Sequence, residues 1–215
     1  LADAFGAFRE SLTAFPPMTG SLADLSPTDI DHDGDTDLVL TTLGGGNNLF
    51  IWTNDGAGGF AQSFVFPSLW CLNLAVGDLS GDGHVDVVFA ADRIAMEVWL
   101  GDGFGSFTHA TGAFPFPWPG RDNRRFSVQV VDLDGDVSLD IVSLKADTGL
   151  ELFLNDGHAV FRDGRAELGL AGYTNVGLAF AHDVDRDGDT DLMFGSPQPD
   201  LWVGLRRQTL SDEPT

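Results

Sequence analysis

Apolar residues along this chain come in short runs separated by polar turn-formers, and no run has the spacing of an amphipathic helix. One set of runs is Leu38-Val39-Leu40, Val87-Val88-Phe89, Ile141-Val142 and Leu192-Met193-Phe194. About ten residues later comes a second set: Leu49-Phe50-Ile51-Trp52, Val98-Trp99-Leu100, Leu152-Phe153-Leu154 and Leu201-Trp202-Val203. Three of these second runs end in a turn-former, Asn54-Asp55-Gly56, Gly101-Asp102-Gly103 or Asn155-Asp156-Gly157, whose residues supply the positive φ of tight hairpins. Phe60, Phe107 and Phe161 then open a third run, and a fourth, such as Leu72-Asn73-Leu74-Ala75-Val76, leads into the next unit. Each unit therefore predicts four short antiparallel strands, and the chain predicts an all-β protein.

Polar positions repeat as strictly as apolar ones. Four nine-residue segments align: Asp29-Ile-Asp-His-Asp-Gly-Asp-Thr-Asp37, Asp78-Leu-Ser-Gly-Asp-Gly-His-Val-Asp86, Asp132-Leu-Asp-Gly-Asp-Val-Ser-Leu-Asp140 and Asp183-Val-Asp-Arg-Asp-Gly-Asp-Thr-Asp191. They recur about every 50 residues, and four strands in such a unit is the arithmetic of a β-propeller blade. The predicted blades run approximately over 22–66, 72–113, 126–166 and 177–204, in a single domain over 1–215. The fourth unit stops after its third run, while Asp3-Ala-Phe5-Gly-Ala-Phe8 resembles the opening of an outer strand. A closing strand over 5–14 paired with the last blade would seal a four-bladed ring and remove its open edge. The alternatives are part of a seven- or eight-bladed ring, the latter built from two chains.

Charge sharpens the reading of the loops. The 215 residues carry a formal charge of −22, mostly from Asp, with Lys145 the one lysine. A pI near 4.1 argues against nucleic-acid partners, whose phosphates demand Lys and Arg. Hydrophobic residues at 43% exclude a disordered chain, and no apolar run reaches the length of a membrane span. Residues 1–30 lack a basic stretch followed by an apolar one, so no signal peptide is expected, and the start at Leu1 points to a mature or excised piece. Cys71, the one cysteine, excludes an intrachain disulfide and reads as a small core residue.

The acidic segments are the candidate chemistry. Oxygen ligands at alternate positions converge on one ion when a loop curls around it, and hard carboxylates at six or more places suit Ca²⁺. Positions 1, 3, 5 and 9 of the four loops are Asp29, Asp31, Asp33 and Asp37; Asp78, Ser80, Asp82 and Asp86; Asp132, Asp134, Asp136 and Asp140; and Asp183, Asp185, Asp187 and Asp191. Position 7 would add a backbone carbonyl from Asp35, His84, Ser138 or Asp189, and position 9 would close the site. Up to four Ca²⁺ are expected. His32 and His84 read as solvated side chains rather than ligands. Position 6 is Gly34, Gly83 and Gly188 but Val137 in the third loop, a strained choice if that residue takes positive φ, unless Gly135 bends the backbone instead.

The pattern Asp-x-Asp-x-Asp-Gly-x-x-Asp-Leu followed by Asn-Asp-Gly-x-x-x-Phe resembles the FG-GAP/VCBS repeats of integrin α-subunit propellers, propeller lectins and many secreted proteins. Phe161–Leu170, running into Ala181-His182-Asp183, is most similar to the cartilage acidic protein type. The resemblance covers nearly the whole chain. It implies a propeller with calcium between the first and second strands of each blade, and no single activity.

No catalytic constellation appears, so no enzyme activity is expected. One further segment, Phe114–Arg125, concentrates aromatics with Arg121, Arg124 and Arg125 around Trp118. It joins an outer strand to the next inner strand, on the face opposite the acidic loops, where Trp70 and Tyr173 hold equivalent places. These six residues either pack between blades or form a ligand face for a protein or a glycan. Three functions follow: a calcium-stabilised recognition or adhesion scaffold, a propeller lectin, or a non-catalytic module of a larger secreted enzyme. All fit an extracellular, secreted, periplasmic or cell-surface setting, where calcium is plentiful, and a homo-oligomer is compatible with each.

Overall fold

A computed structural model describes residues 15–44, 49–66, 71–91, 96–114, 125–145, 149–171, 176, 178–195 and 201–204. Those residues form β-strands and turns, with no helix among them. The first sheet comprises β1 (Ser21–Thr28), β2 (Asp37–Leu43), β3 (Leu49–Asn54) and β4 (Phe60–Phe66). The second comprises β5 (Cys71–Gly77), β6 (Asp86–Ala91), β7 (Glu97–Gly101) and β8 (Phe107–His109), and the third β9 (Arg125–Val131), β10 (Asp140–Lys145), β11 (Gly149–Asn155) and β12 (Phe161–Asp163). The fourth comprises β13 (Leu178–His182), β14 (Asp191–Gly195) and β15 (Leu201–Gly204). Each sheet is an antiparallel meander in chain order. The acidic segments occupy the connections β1–β2, β5–β6, β9–β10 and β13–β14. The third strands end in turns on that same side of the sheets, because antiparallel strands reverse at every connection.

Successive sheets pack face to face. Along a strand side chains alternate between faces, and the second strand of each sheet is apolar on both. Val39 and Ile51 of the first sheet join Leu74, Val87 and Phe89 of the second. Val88 and Val98, on the other face of the second sheet, join Val128, Ile141 and Phe153 of the third. Val142, Leu144 and Leu152 in turn join Ala179, Leu192 and Phe194 of the fourth. Phe66 is fully buried where the first two sheets meet, edge-on to Trp99 at 4.9 Å and beside Phe64, Phe89 and Phe107. Truncating such a ring to Ala typically costs about 3–5 kcal/mol.

Innermost strands touch in order, β1 on β5, β5 on β9 and β9 on β13. Polar side chains clip two of these seams. Asp24, at a bulge in β1, accepts the Leu74 amide at 3.0 Å. Gln129 of β9 donates to the Ala179 carbonyl at 2.9 Å and accepts the Ala181 amide at 3.2 Å. Cys71 is buried in the first seam, as expected of a core residue. The closing strand expected over 5–14 lies outside the described residues.

Candidate metal centre

Each acidic loop is bent by its own carboxylates. The position 1 Asp accepts the position 6 amide through Oδ2 in all four loops, at 2.8–3.1 Å. The position 5 Asp accepts the position 7 amide through Oδ1, at 2.8–3.0 Å. Position 6 takes left-handed φ throughout: 91° at Gly34, 85° at Gly83, 76° at Val137 and 95° at Gly188. Position 4 does the same, at His32 (60°), Gly81 (74°), Gly135 (78°) and Arg186 (65°). Two left-handed residues flank position 5 and coil the chain, and in loops one and three this brings the carboxylates of positions 1, 3 and 5 together.

Position 9 has a role that spacing alone did not reveal. Asp37, Asp86, Asp140 and Asp191 are fully buried. Each accepts the position 2 amide through Oδ2, from Ile30, Leu79, Leu133 or Val184, at 2.8–2.9 Å. In the first three sheets Oδ1 accepts the amide that ends the third strand, at Asn54, Gly101 or Asn155, at 2.7–2.9 Å. This carboxylate therefore latches the acidic loop to the second hairpin of its own sheet. Burial pushes the Asp86 carboxyl up and the Asp140 carboxyl up to about 6, against the pull of the amides they accept.

Among the described residues, carboxylates form three compact clusters. Ligand oxygens of Asp29, Asp31 and Asp33, of Asp132, Asp134 and Asp136, and of Asp183, Asp185 and Asp191 each lie within 4.8 Å of one another. Desolvation first, and neighbouring carboxylates next, hold the Asp31 and Asp134 carboxyls above the ordinary range. Asp29 Oδ1, Asp31 Oδ1 and Ser80 Oγ are buried without a hydrogen-bond partner. An orphaned buried oxygen costs about 1–3 kcal/mol, more when charged. A hard divalent cation would supply what these atoms lack, so the donor set fits such an ion. Ser80 makes the second loop poorer in charge, with carboxylates only at Asp78 and Asp82 among its first three ligand positions.

The third loop departs from the others. Val137 does take positive φ, and its side chain is 87% exposed, so packing offers no compensation. Gly135 gives no relief, because every loop is left-handed at position 4. Arg162 of β12 reaches Asp134 Oδ2 at 3.7 Å and Glu167 at 3.1 Å, placing a positive charge beside the cluster.

His32 is exposed and His84 half-exposed, and the two rings meet across two sheets, His32 Nε2 hydrogen-bonding with His84 Nδ1 at 3.2 Å. Asp35, Ser138 and Asp189 sit at position 7, with Asp35 and Ser138 against Gly56 and Gly157 of the neighbouring turn. Those turns repeat the Asx device: Asp55, Asp102 and Asp156 each accept two amides within the turn, which lowers the Asp55 and Asp102 carboxyls. The third sheet's turn also crosses to the second sheet's loop, where Ala159 N and Asn155 Nδ2 both donate to the Leu79 carbonyl.

Of the aromatic and arginine face, Trp70, Trp118, Arg121, Arg124 and Tyr173 lie outside the described residues. Arg125 opens β9 opposite Lys145 in the register. No helix among the described residues is long and apolar enough to cross a membrane.

Comparison with known proteins gives two findings. The family model of the FG-GAP-like repeat matches residues 29–89, 78–143 and 132–194, each match running from one acidic loop into the next. A T-cell immunomodulatory protein homolog of Plasmodium yoelii yoelii is 26% identical over 159 residues, covering 62% of this chain and 22% of that protein. The chain thus spans about a fifth of the length of that relative.

Proposed function

This chain belongs to the FG-GAP-like repeat family, and we propose that it is a calcium-stabilised, non-catalytic recognition scaffold that works outside the cell. The observation that carries this reading is the set of buried, unpartnered oxygens, Asp29 Oδ1, Asp31 Oδ1 and Ser80 Oγ, at the predicted ligand positions of repeated acidic loops. Ca²⁺ suits that donor set by charge, ligand count and flexibility. Millimolar external calcium fills loops of modest affinity, which supports an extracellular setting. The binding partner is a protein, met by a surface that calcium holds rigid. Calorimetric titration of the chelated chain with CaCl₂ tests the reading: more than one Ca²⁺ per chain supports it, and no calcium-dependent heat overturns it.

The scaffold is proposed to be a closed four-bladed propeller. Ile30, Leu79 and Leu133, at position 2 of the first three loops, are buried in the seam toward the following sheet. Val184, their counterpart in the fourth loop, is 45% exposed, and Phe180 of β13 is 51% exposed. The first sheet carries an apolar cluster of Leu40, Phe50 and Trp52 on the face away from the second sheet, with Leu22 and Leu25 of β1 exposed. Closing the ring brings the fourth sheet against the first. Native mass spectrometry of a compact monomer supports this, and a stable dimer would instead favour two chains in one larger ring.

A further inference from the structure

The pair His32–His84 belongs to neither the carboxylate clusters nor a core. His32 stands at position 4 of the first loop and His84 at position 7 of the second, so the contact spans two sheets. The facing nitrogens share a hydrogen bond at 3.2 Å, either ring being the donor according to its tautomer, with ring centroids at 5.3 Å and planes at 49°; an ion bound by both would displace that proton. Two zinc–nitrogen bonds of about 2.0–2.1 Å at a tetrahedral angle set their nitrogens roughly 3.3 Å apart. The chain is fixed at both residues. The left-handed backbone of His32 lies between two carboxylate-bent turns. The His84 ring lies so close to Gly103 that a Cβ there would collide with it. His32 is exposed and His84 partly so, which leaves an ion access and room for water on its remaining positions.

We propose that His32 and His84 form a two-nitrogen site for a borderline transition cation of the Zn²⁺ class, stapling the first sheet to the second. Imidazole nitrogens select such ions over Ca²⁺ and Mg²⁺, which take oxygen, so this site and the acidic loops choose different metals. The chain's charge of −22 concentrates any divalent cation at the surface and raises its rate of arrival. With two protein ligands the site is weaker than a four-ligand structural zinc. Its strength comes from chelation, because the second nitrogen binds at the high effective concentration set by the first.

The test titrates ZnCl₂ into the full chain held in saturating calcium, by calorimetry and by thermal melting. The wild type is expected to bind one zinc ion at this pair and melt higher. His32→Asn removes the ligand while tolerating the left-handed backbone, and His84→Gln removes the other. Each is expected to weaken zinc binding about tenfold or more and to abolish the zinc-dependent melting shift, read against the same variant in saturating calcium without zinc. A zinc response equal in the wild type and both variants, or none in the wild type, overturns the proposal. Neither result depends on whether the acidic loops bind calcium.

Discussion

Loop one, Asp29–Asp37, and loop three, Asp132–Asp140, share one backbone path, with left-handed residues at positions 4 and 6 and the same Asx bends. They differ in what their carboxylates find there. In loop one Asp29 Oδ1 and Asp31 Oδ1 are buried and unpartnered. In loop three Asp132 Oδ1 accepts the Gly135 amide at 2.6 Å, and Arg162 stands beside Asp134. Loop one thus leaves two buried oxygens uncompensated, whereas loop three supplies part of the compensation itself. Identical spacing of Asp along the sequence does not mean equal demand for metal.

The strongest challenge to that contrast is chelation of the whole chain. Each site held at a hundredfold its Kd stabilises the native state by about 2.7 kcal/mol. At this chain length each kcal/mol moves Tm by roughly 2–4 °C, so two filled sites correspond to a fall of about 10–20 °C. An unchanged melting curve after verified metal removal would sink the calcium reading together with the contrast.

Matched substitutions sharpen it. Asp31→Asn and Asp134→Asn remove the same ligand from the two loops. In saturating calcium we expect the first to cost about 2–3 kcal/mol, close to the loss of one site, and the second under about 1 kcal/mol. Equal melting shifts would show that the orphaned oxygens of loop one carry no special weight.

Exchanging position 6 isolates the backbone. Val137→Gly relieves about 1–2 kcal/mol of left-handed strain, less about 0.5–1 kcal/mol for the freedom glycine has when unfolded. A net gain of roughly 0.5–1 kcal/mol is expected by chemical denaturation. Gly34→Val should lose a similar amount, since a Cβ at Gly34 meets nothing within 4 Å and only the dihedral changes. A destabilised Val137→Gly variant would place the value of Val137 in its exposed side chain instead. The smallest effect belongs to Arg162→Gln. Its guanidinium is half exposed and screened, so about a threefold gain in loop-three calcium affinity is expected by calorimetry. A loss of affinity would make Arg162 a support of the loop rather than a rival of its ion.

Much of this was legible in the sequence because strand period and ligand period both repeat. The runs opened by Phe60, Phe107 and Phe161 begin β4, β8 and β12, and the nine-residue segments lie in the connections predicted for them. What stayed hidden depends on relations between distant residues. Nothing local shows that Asp37 reaches Asn54, or that His32 meets His84 from another repeat. The left-handed backbone at position 4 was masked by His32 and Arg186, which lack the glycine signature seen at Gly81 and Gly135. Arg162 follows the Phe of an outer strand, and only the sheet register brings it back over the loop.

The position 9 latch also governs where this architecture tolerates changes of length. It ties the acidic loop to the end of the third strand, so adding or deleting a residue in either would break two hydrogen bonds to a buried carboxylate. The nine-residue loops are accordingly uniform. The connections leaving β4, β8 and β12 at the other end of the sheets span 67–70, 110–124 and 164–177, so their lengths differ. Closing a flexible loop twice as long costs only about 0.6 kcal/mol more. That end is where a foreign peptide could be grafted, or a lineage could lengthen a repeat, while the acidic end keeps its frame.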